Sequence, residues 1–254
     1  SWFIEPHSPV QPSAEQMEPF RHLTMAGSSY PSARQIYAAA VGELDRNIGR
    51  ILAALDEAGL AESTLVIFSS DNGPEDPDIL NAAHSAAGSA GPFRGRKRSI
   101  YEGGVRVPFI ARWPGVIEAG GVRDDAFLGA VDLFPTLAAL AGAQAPATGL
   151  DGNDQGAALL GAPQVPRRPL FWEWRFPVFN HVWHRPPQLA VRDGPWKLLM
   201  NPDGSRVELY HVPSDPSELQ NLSSREPEIA DRLSRMVLEW SRTLPPGPHH
   251  AEAG

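Results

Sequence analysis

The stretch Thr64-Leu-Val-Ile-Phe-Ser-Ser-Asp-Asn-Gly73 constrains the fold of this chain more than any other. A continuous apolar run bounded by polar residues reads as a fully buried strand of a mostly parallel sheet. Ligands in such sheets bind beyond the carboxyl ends of the strands. Asp71 and Asn72 fall at that end. A carboxylate beside an amide offers two hard oxygen ligands, which suit Ca²⁺ or Mg²⁺ better than a soft metal. Asp-Asn-Gly is equally good turn chemistry, so the pair alone leaves both readings open.

More ordered pieces surround this one. Upstream lies Pro6-His7-x-Pro9; downstream come Gly95-x-Lys97 and Tyr101-Glu-Gly-Gly-Val-Arg-Val-Pro108. Then follow Trp113-Pro-Gly115, Asp132-Leu-Phe-Pro-Thr136 and Ala190-Val-Arg-Asp-Gly-Pro-Trp-Lys-Leu198. With Ser70-Asp71-Asn72-Gly73 they resemble the sulfatase family, in its arylsulfatase-like branch of the alkaline-phosphatase-like superfamily. The match runs from the first residues to about residue 225.

The resemblance implies an α/β fold: the C-terminal part of an alkaline-phosphatase-like, mostly parallel sheet flanked by helices. A small antiparallel sheet subdomain with one C-terminal helix is expected to follow. The boundaries read from composition and pattern are 1–165 for the α/β part, 166–245 for the small subdomain and 246–254 for a disordered tail.

The same resemblance exposes a gap. The family's nucleophile is a Cys, sometimes a Ser, in a Cys-x-Pro-x-Arg type motif that is oxidised to formylglycine; further metal-binding aspartates lie near the family's N-terminus. This chain has no Cys. In Ser29-Tyr-Pro-Ser-Ala-Arg34 the arginine falls one position late, and the segment follows His7 where the family's nucleophile precedes it. Ser32 there fits better as a helix cap. The chain is therefore expected to be the C-terminal portion of a sulfatase, with formylglycine in a preceding segment and no activity of its own.

By resemblance, Lys97 contacts the sulfate and His7 contacts the ester oxygen, Asp71 and Asn72 being ligands of a divalent ion, Ca²⁺ with Mg²⁺ as the alternative. The chemistry is consistent with those roles. An ammonium balances charge developing on sulfate oxygens, and a histidine near neutral pKa can donate to a leaving alkoxide. Lys97 lies among Arg94, Arg96 and Arg98, which also reads as a solvated basic loop. His84 lies in the long loop 73–100 and reads as a substrate contact or an ordinary loop histidine. His181 and His184, with Trp172, Trp174 and Trp183, suit a sugar ring, yet the tryptophans equally suit a small core. Glu102, Arg106 and Arg112 are expected to pair with one another or with backbone, and Gly103-Gly104 to mark close backbone approach or positive φ.

Local patterning places a short strand over 1–10, a Pro-rich loop to about 32 and a helix ending at Gly59. Tyr37, Val41, Leu44, Ile48, Ile51, Leu52 and Leu55 form its apolar stripe. A strand is expected over Val105–Trp113 and a helix over Asp132–Ala141, with Pro135 in its first turn and Gly142 past its end. Short strands then follow at Leu170–Trp174, Gln188–Arg192, Trp196–Met200 and Val207–Val212, with hairpin signals at Asp193-Gly194 and Asp203-Gly204. Ile229, Leu233, Met236, Val237 and Trp240 form a last helical stripe.

A net charge of −8 argues against a general nucleic-acid binder, and no apolar run approaches the length of a membrane span. The expected activity is sulfuric ester hydrolysis on a sulfated carbohydrate or aryl sulfate. The alternatives are phosphate or phosphonate ester hydrolysis on the same fold, or a non-catalytic fragment or binding module. The family suggests a periplasmic or secreted location; no signal segment is readable and the compartment stays open, as does the oligomeric state.

Overall fold

The computed structural model describes residues 1–245 except 80, 125, 147, 163–167 and 177–180. The tail expected to be disordered lies outside these residues. Two compact units emerge: one of residues 1–53, 70–107 and 171–254, the other of residues 54–69 and 108–170.

In the first unit no strand forms over residues 1–10. Pro6, Pro9 and Pro12 supply no N–H to a ladder. The expected loop instead opens with a short helix α1 (Ala14–Met17), whose Ser13 and Gln16 form a reciprocal capping box. Helix α2 (Ala33–Glu57) starts at Ser32, whose Oγ accepts the Gln35 N–H at 3.0 Å. It stops at Gly59, where φ is +67 and the Leu60 N–H reaches back to the Leu55 carbonyl at 2.9 Å, a Schellman ending. The apolar stripe of α2 is only half-buried, and Val41 and Ile51 are exposed. Ile36, Ala39 and Ala40 take the buried face, where two alanines allow close approach.

The small sheet holds strands β3 (Leu170–Glu173), β4 (Leu189–Asp193), β5 (Trp196–Met200) and β6 (Glu208–His211), in that order. β4 with β5 and β5 with β6 are antiparallel. The β4–β5 hairpin turns through Gly194-Pro195 with positive φ at Gly194, the glycine-first solution that suits strand twist. Period-two alternation gives this sheet two buried faces. Leu189, Val191, Leu198, Met200 and Leu209 pack against Ala230, Leu233 and Val237 of helix α6 (Pro227–Ser241). The Phe171 and Trp240 rings stack beside them at 5.0 Å. Ala190, Leu199 and Tyr210 face the other way, onto Ile100 and Tyr101. Truncating Leu233, which is fully buried, would cost about 2–5 kcal/mol.

In the second unit, β1 (Val66–Ser69) pairs antiparallel with β2 (Phe109–Arg112). This differs from the expected fully buried strand with parallel neighbours. β1 is only half-buried, because among the described residues a single partner strand pairs with it. β2 is also shorter than expected, since Val105 ends a helical turn, α3 (Glu102–Val105), and Pro108 precedes the ladder. Helix α4 (Ala130–Leu140) begins two residues early, with Asp132 capping Gly129, so Pro135 lies beyond its first turn. Pro135 leaves the Val131 carbonyl without its helical partner, and Gly152 approaches that oxygen so closely that a Cβ would sit 1.8 Å from it. A short helix α5 (Gly156–Leu159) follows in the Ala/Gly/Pro-rich stretch. Among the described residues, no helix is long and apolar enough to cross a membrane.

Candidate active site

Three glycines shape the segment that carries Asp71 and Asn72. The Gly73 N–H donates to the Gly104 carbonyl at 3.0 Å, and a Cβ on Gly73 would meet the Gly103 oxygen at 1.9 Å. A Cβ on Gly104 would meet the Ser99 oxygen at the same distance. The Gly103-Gly104 pair thus serves close backbone approach, not positive φ. The Lys97 N–H donates to the Pro74 carbonyl at 2.9 Å, so the Asp71–Pro74 turn and the Lys97 loop are bonded through backbone on both sides.

Asp71 is exposed. Asn72 Nδ2 donates to the Gly73 carbonyl at 2.8 Å, which fixes the amide orientation and turns Oδ1 away from that contact. A carboxylate and an amide oxygen fit two positions of a hard-cation site, but Ca²⁺ takes six to eight oxygens. Among the described residues, no three His, Cys, Asp or Glu groups gather as a metal set. The donors fit in kind and are partial in number.

Lys97 Nζ lies 3.7 Å from Glu75 Oε2. Its three arginine neighbours are occupied. Arg94 stacks on the Tyr101 ring at 3.9 Å and on Trp183 at 4.3 Å, and donates to the Trp183 and Glu218 carbonyls and the Tyr210 hydroxyl. Arg96 donates to the Glu75, Ala86 and Gly88 carbonyls. Arg98 grips the Glu75 carboxylate. The solvated-loop reading of these cations fails, because each closes a tertiary contact. Glu75 was not singled out in the sequence; its signal was one carboxylate just past Asn-Gly-Pro, opposite in sign to a run of cations.

His7 is exposed. Its Nδ1 donates to the Ser8 carbonyl at 2.8 Å, which leaves Nε2 as the ring nitrogen not engaged by that bond. Ser8 Oγ in turn donates to the Asn81 carbonyl, tying this segment to the long loop. His84 lies half-buried in the 3₁₀ turn Ala83–Ala87 of that loop. His184 Nδ1 accepts the Gly95 N–H at 3.0 Å, which places its proton on Nε2 and brings it against the Lys97 loop. Burial holds its pKa below the ordinary histidine value, with Asp76 opposing the shift and Arg96, His181 and Arg94 adding to it. Trp172 and Trp174 pack against the small core, while Trp183 stays 47% exposed. Arg106 pairs with Glu102 at 3.8 Å, but Arg112 pairs with Asp56 instead.

A model of the sulfatase family matches residues 2–143. The chain belongs to the sulfatase family. A model described as N-sulphoglucosamine sulphohydrolase, C-terminal, matches residues 91–242 of this chain. Human arylsulfatase A is 37% identical over 237 residues, covering 82% of this chain and 43% of its own. Dog N-acetylgalactosamine-6-sulfatase is 34% identical over 242 residues, covering 85% and 45%. Among solved structures, Ps i-CgsB in complex with a neocarrahexaose superposes with a TM-score of 0.75 at 29% identity, covering 93% of this chain and 48% of that one. The chain spans less than half the length of these relatives.

Proposed function

We propose that this chain carries part of the active site of a sulfuric ester hydrolase acting on a sulfated carbohydrate or aryl sulfate. The observation that carries the reading is the backbone bonding of the Lys97 loop to the Asp71–Pro74 turn, which holds a cation and two hard oxygen ligands on one rigid framework. Asp71 and Asn72 would hold Ca²⁺, or Mg²⁺, whose charge offsets that of a bound sulfate. The Lys97 ammonium neutralises charge on the sulfate oxygens as the S–O bond breaks. His7 Nε2 delivers a proton to the departing alcohol oxygen, with Nδ1 held by the Ser8 carbonyl. The relatives' names and the oligosaccharide complex support a sulfated carbohydrate as the substrate class.

With no Cys, this chain supplies no formylglycine precursor of the cysteine type. Activity is therefore assigned to a complete enzyme that adds a nucleophile segment to these residues. The test is to express the whole reading frame containing this chain with a formylglycine-generating enzyme, and assay paired sulfate and phosphate monoesters. Sulfate turnover lost in Lys97→Ala supports the reading, with the 254-residue chain alone matching a blank. Preference for the phosphate ester, or turnover by the short chain, would sink it.

A further inference from the structure

Glu75 answers two of the cations around the proposed sulfate site, and it does so unequally. Its Oε1 accepts Arg98 Nη1 at 2.5 Å, while Oε2 lies 3.5 Å from Arg98 Nη2 and 3.7 Å from Lys97 Nζ. Arg98 therefore holds Oε1 by a short charged hydrogen bond and reaches Oε2 only at long range, whereas Lys97 makes an ion pair at 3.7 Å and no hydrogen bond. The Asp76 N–H donates to Oε1 at 2.9 Å, and Arg96 Nε donates to the Glu75 carbonyl. Burial would raise the Glu75 carboxyl, but the hydrogen bonds from Arg98 and Asp76 and the charges of Arg98 and Lys97 outweigh it and keep the group ionised.

The backbone at Arg98 is unusual. Its φ is +70, in the left-handed region that long side chains avoid, and this strained conformation places the guanidinium on Glu75. Arg96 cannot take over the grip, since its Nη2 is committed to the Ala86 and Gly88 carbonyls.

We propose that Arg98 is a positioning residue that ties down Glu75 and thereby keeps the Lys97 ammonium available to an anion. This rests on the reading of Lys97 as the sulfate-contacting group. Without Arg98, Lys97 becomes the nearest cation to the Glu75 carboxylate, and the 3.7 Å ion pair tightens into a hydrogen-bonded one. Sulfate must then displace an internal anion before it can bind.

The test uses the complete enzyme, with 4-nitrophenyl sulfate for KM and kcat and inorganic sulfate for an inhibition constant. Arg98→Met should raise KM and the sulfate inhibition constant about tenfold, the scale of coupling between neighbouring charges, with kcat changed much less. Glu75→Gln, lacking the competitor, should show KM at or below wild type. The double variant should return to the Glu75→Gln value, a rescue that mere loop collapse would not give. A double variant as weak as Arg98→Met, or an Arg98→Met enzyme that binds sulfate like wild type, overturns the proposal. Should Arg98→Met fail to fold, Arg98→Gln is held to the same rescue criterion. A wild type that neither turns over the ester nor binds inorganic sulfate overturns the sulfatase reading and this inference with it. Normal wild-type turnover without rescue overturns this inference alone.

Discussion

Arg192 and Lys197 face each other directly across the β4–β5 pair, two cations on one buried face of the sheet. Like charges in that position repel. Two distant carboxyls resolve the conflict. Glu102 Oε1 lies 2.9 Å from Lys197 Nζ, its Oε2 lies 3.4 Å from Arg192 Nη1, and Glu218 Oε1 lies 3.2 Å from Lys197. Glu218 Oε2 also accepts the Glu102 N–H at 2.7 Å, so the cluster pins the Tyr101-Glu-Gly-Gly segment to the sheet. Lys197→Met should therefore cost about 3–5 kcal/mol, because it leaves buried carboxyls without their cation. A lowered urea midpoint at unchanged m-value would report it; an unchanged midpoint would refute it.

The two carboxyls of this cluster titrate in opposite senses. Burial raises Glu102, but the charges of Lys197, Arg192 and Arg106 outweigh it and hold the group below the ordinary glutamate value of 4.5. At Glu218 burial wins, helped by Glu102 and only partly offset by Lys197, and the group is held above 4.5. A lowered folded pKa contributes stability above the unfolded value, and that contribution is lost as pH falls through the folded pKa. A raised one contributes stability below the unfolded value, lost as pH rises through the folded pKa. Glu102→Gln should thus cost most at neutral pH and less in acid, whereas the cost of Glu218→Gln should shrink as pH rises. Urea melts across that range check the signs; parallel trends in the two variants would contradict the assignment.

Glycine substitutions should separate by what a Cβ would meet. Gly73→Ala places a Cβ 1.9 Å from the Gly103 carbonyl oxygen, a backbone atom that cannot swing aside. The expected cost is about 3 kcal/mol, at the upper end of overpacking effects. Gly49, inside α2, has nothing within 4 Å, and Gly49→Ala should stabilise by about 0.5–1 kcal/mol through helix propensity. Denaturant melts of the two variants should move in opposite directions.

Calcium should bind the 254-residue chain weakly and the complete enzyme tightly. As the proposed ligands, Asp71 and Asn72 would furnish two oxygens where Ca²⁺ takes six to eight. Calorimetric titration of both proteins, with Asp71→Asn as the control, decides the point. Equally tight binding by the short chain would show that its own residues complete the site.

His7 should matter most for poor leaving groups. A general acid stabilises charge on the departing oxygen, and an aryl oxide of low pKa needs that help least. In the complete enzyme, His7→Ala should cost roughly 10²–10⁴-fold in kcat on a sugar sulfate, the usual span of proton-transfer catalysis. The loss on 4-nitrophenyl sulfate should be visibly smaller. Equal losses on both substrates would make His7 a sulfate contact instead of an acid.

Much of the local architecture was legible in the sequence. Ser32 as a cap, Gly59 and Gly142 as stops, the Asp193-Gly194 hairpin and the strand Trp196–Met200 all follow from interactions within a few residues. The ordered motifs determined the family for the same reason: each is a short, contiguous string. Tertiary structure decided what distant residues do to one another. Nothing local to Trp196-Lys-Leu-Leu-Met200 says that its lysine is fully buried, because its partners Glu102 and Glu218 lie 95 residues before it and beyond the next strand. The same holds for Glu75 as the counter-charge to Arg98, for Trp172 and Trp174 as core and Trp183 as surface, and for the antiparallel, half-open setting of Val66–Ser69. Burial and charge pairing depend on which surfaces the folded chain brings together, and a run of neighbouring residues carries no record of that.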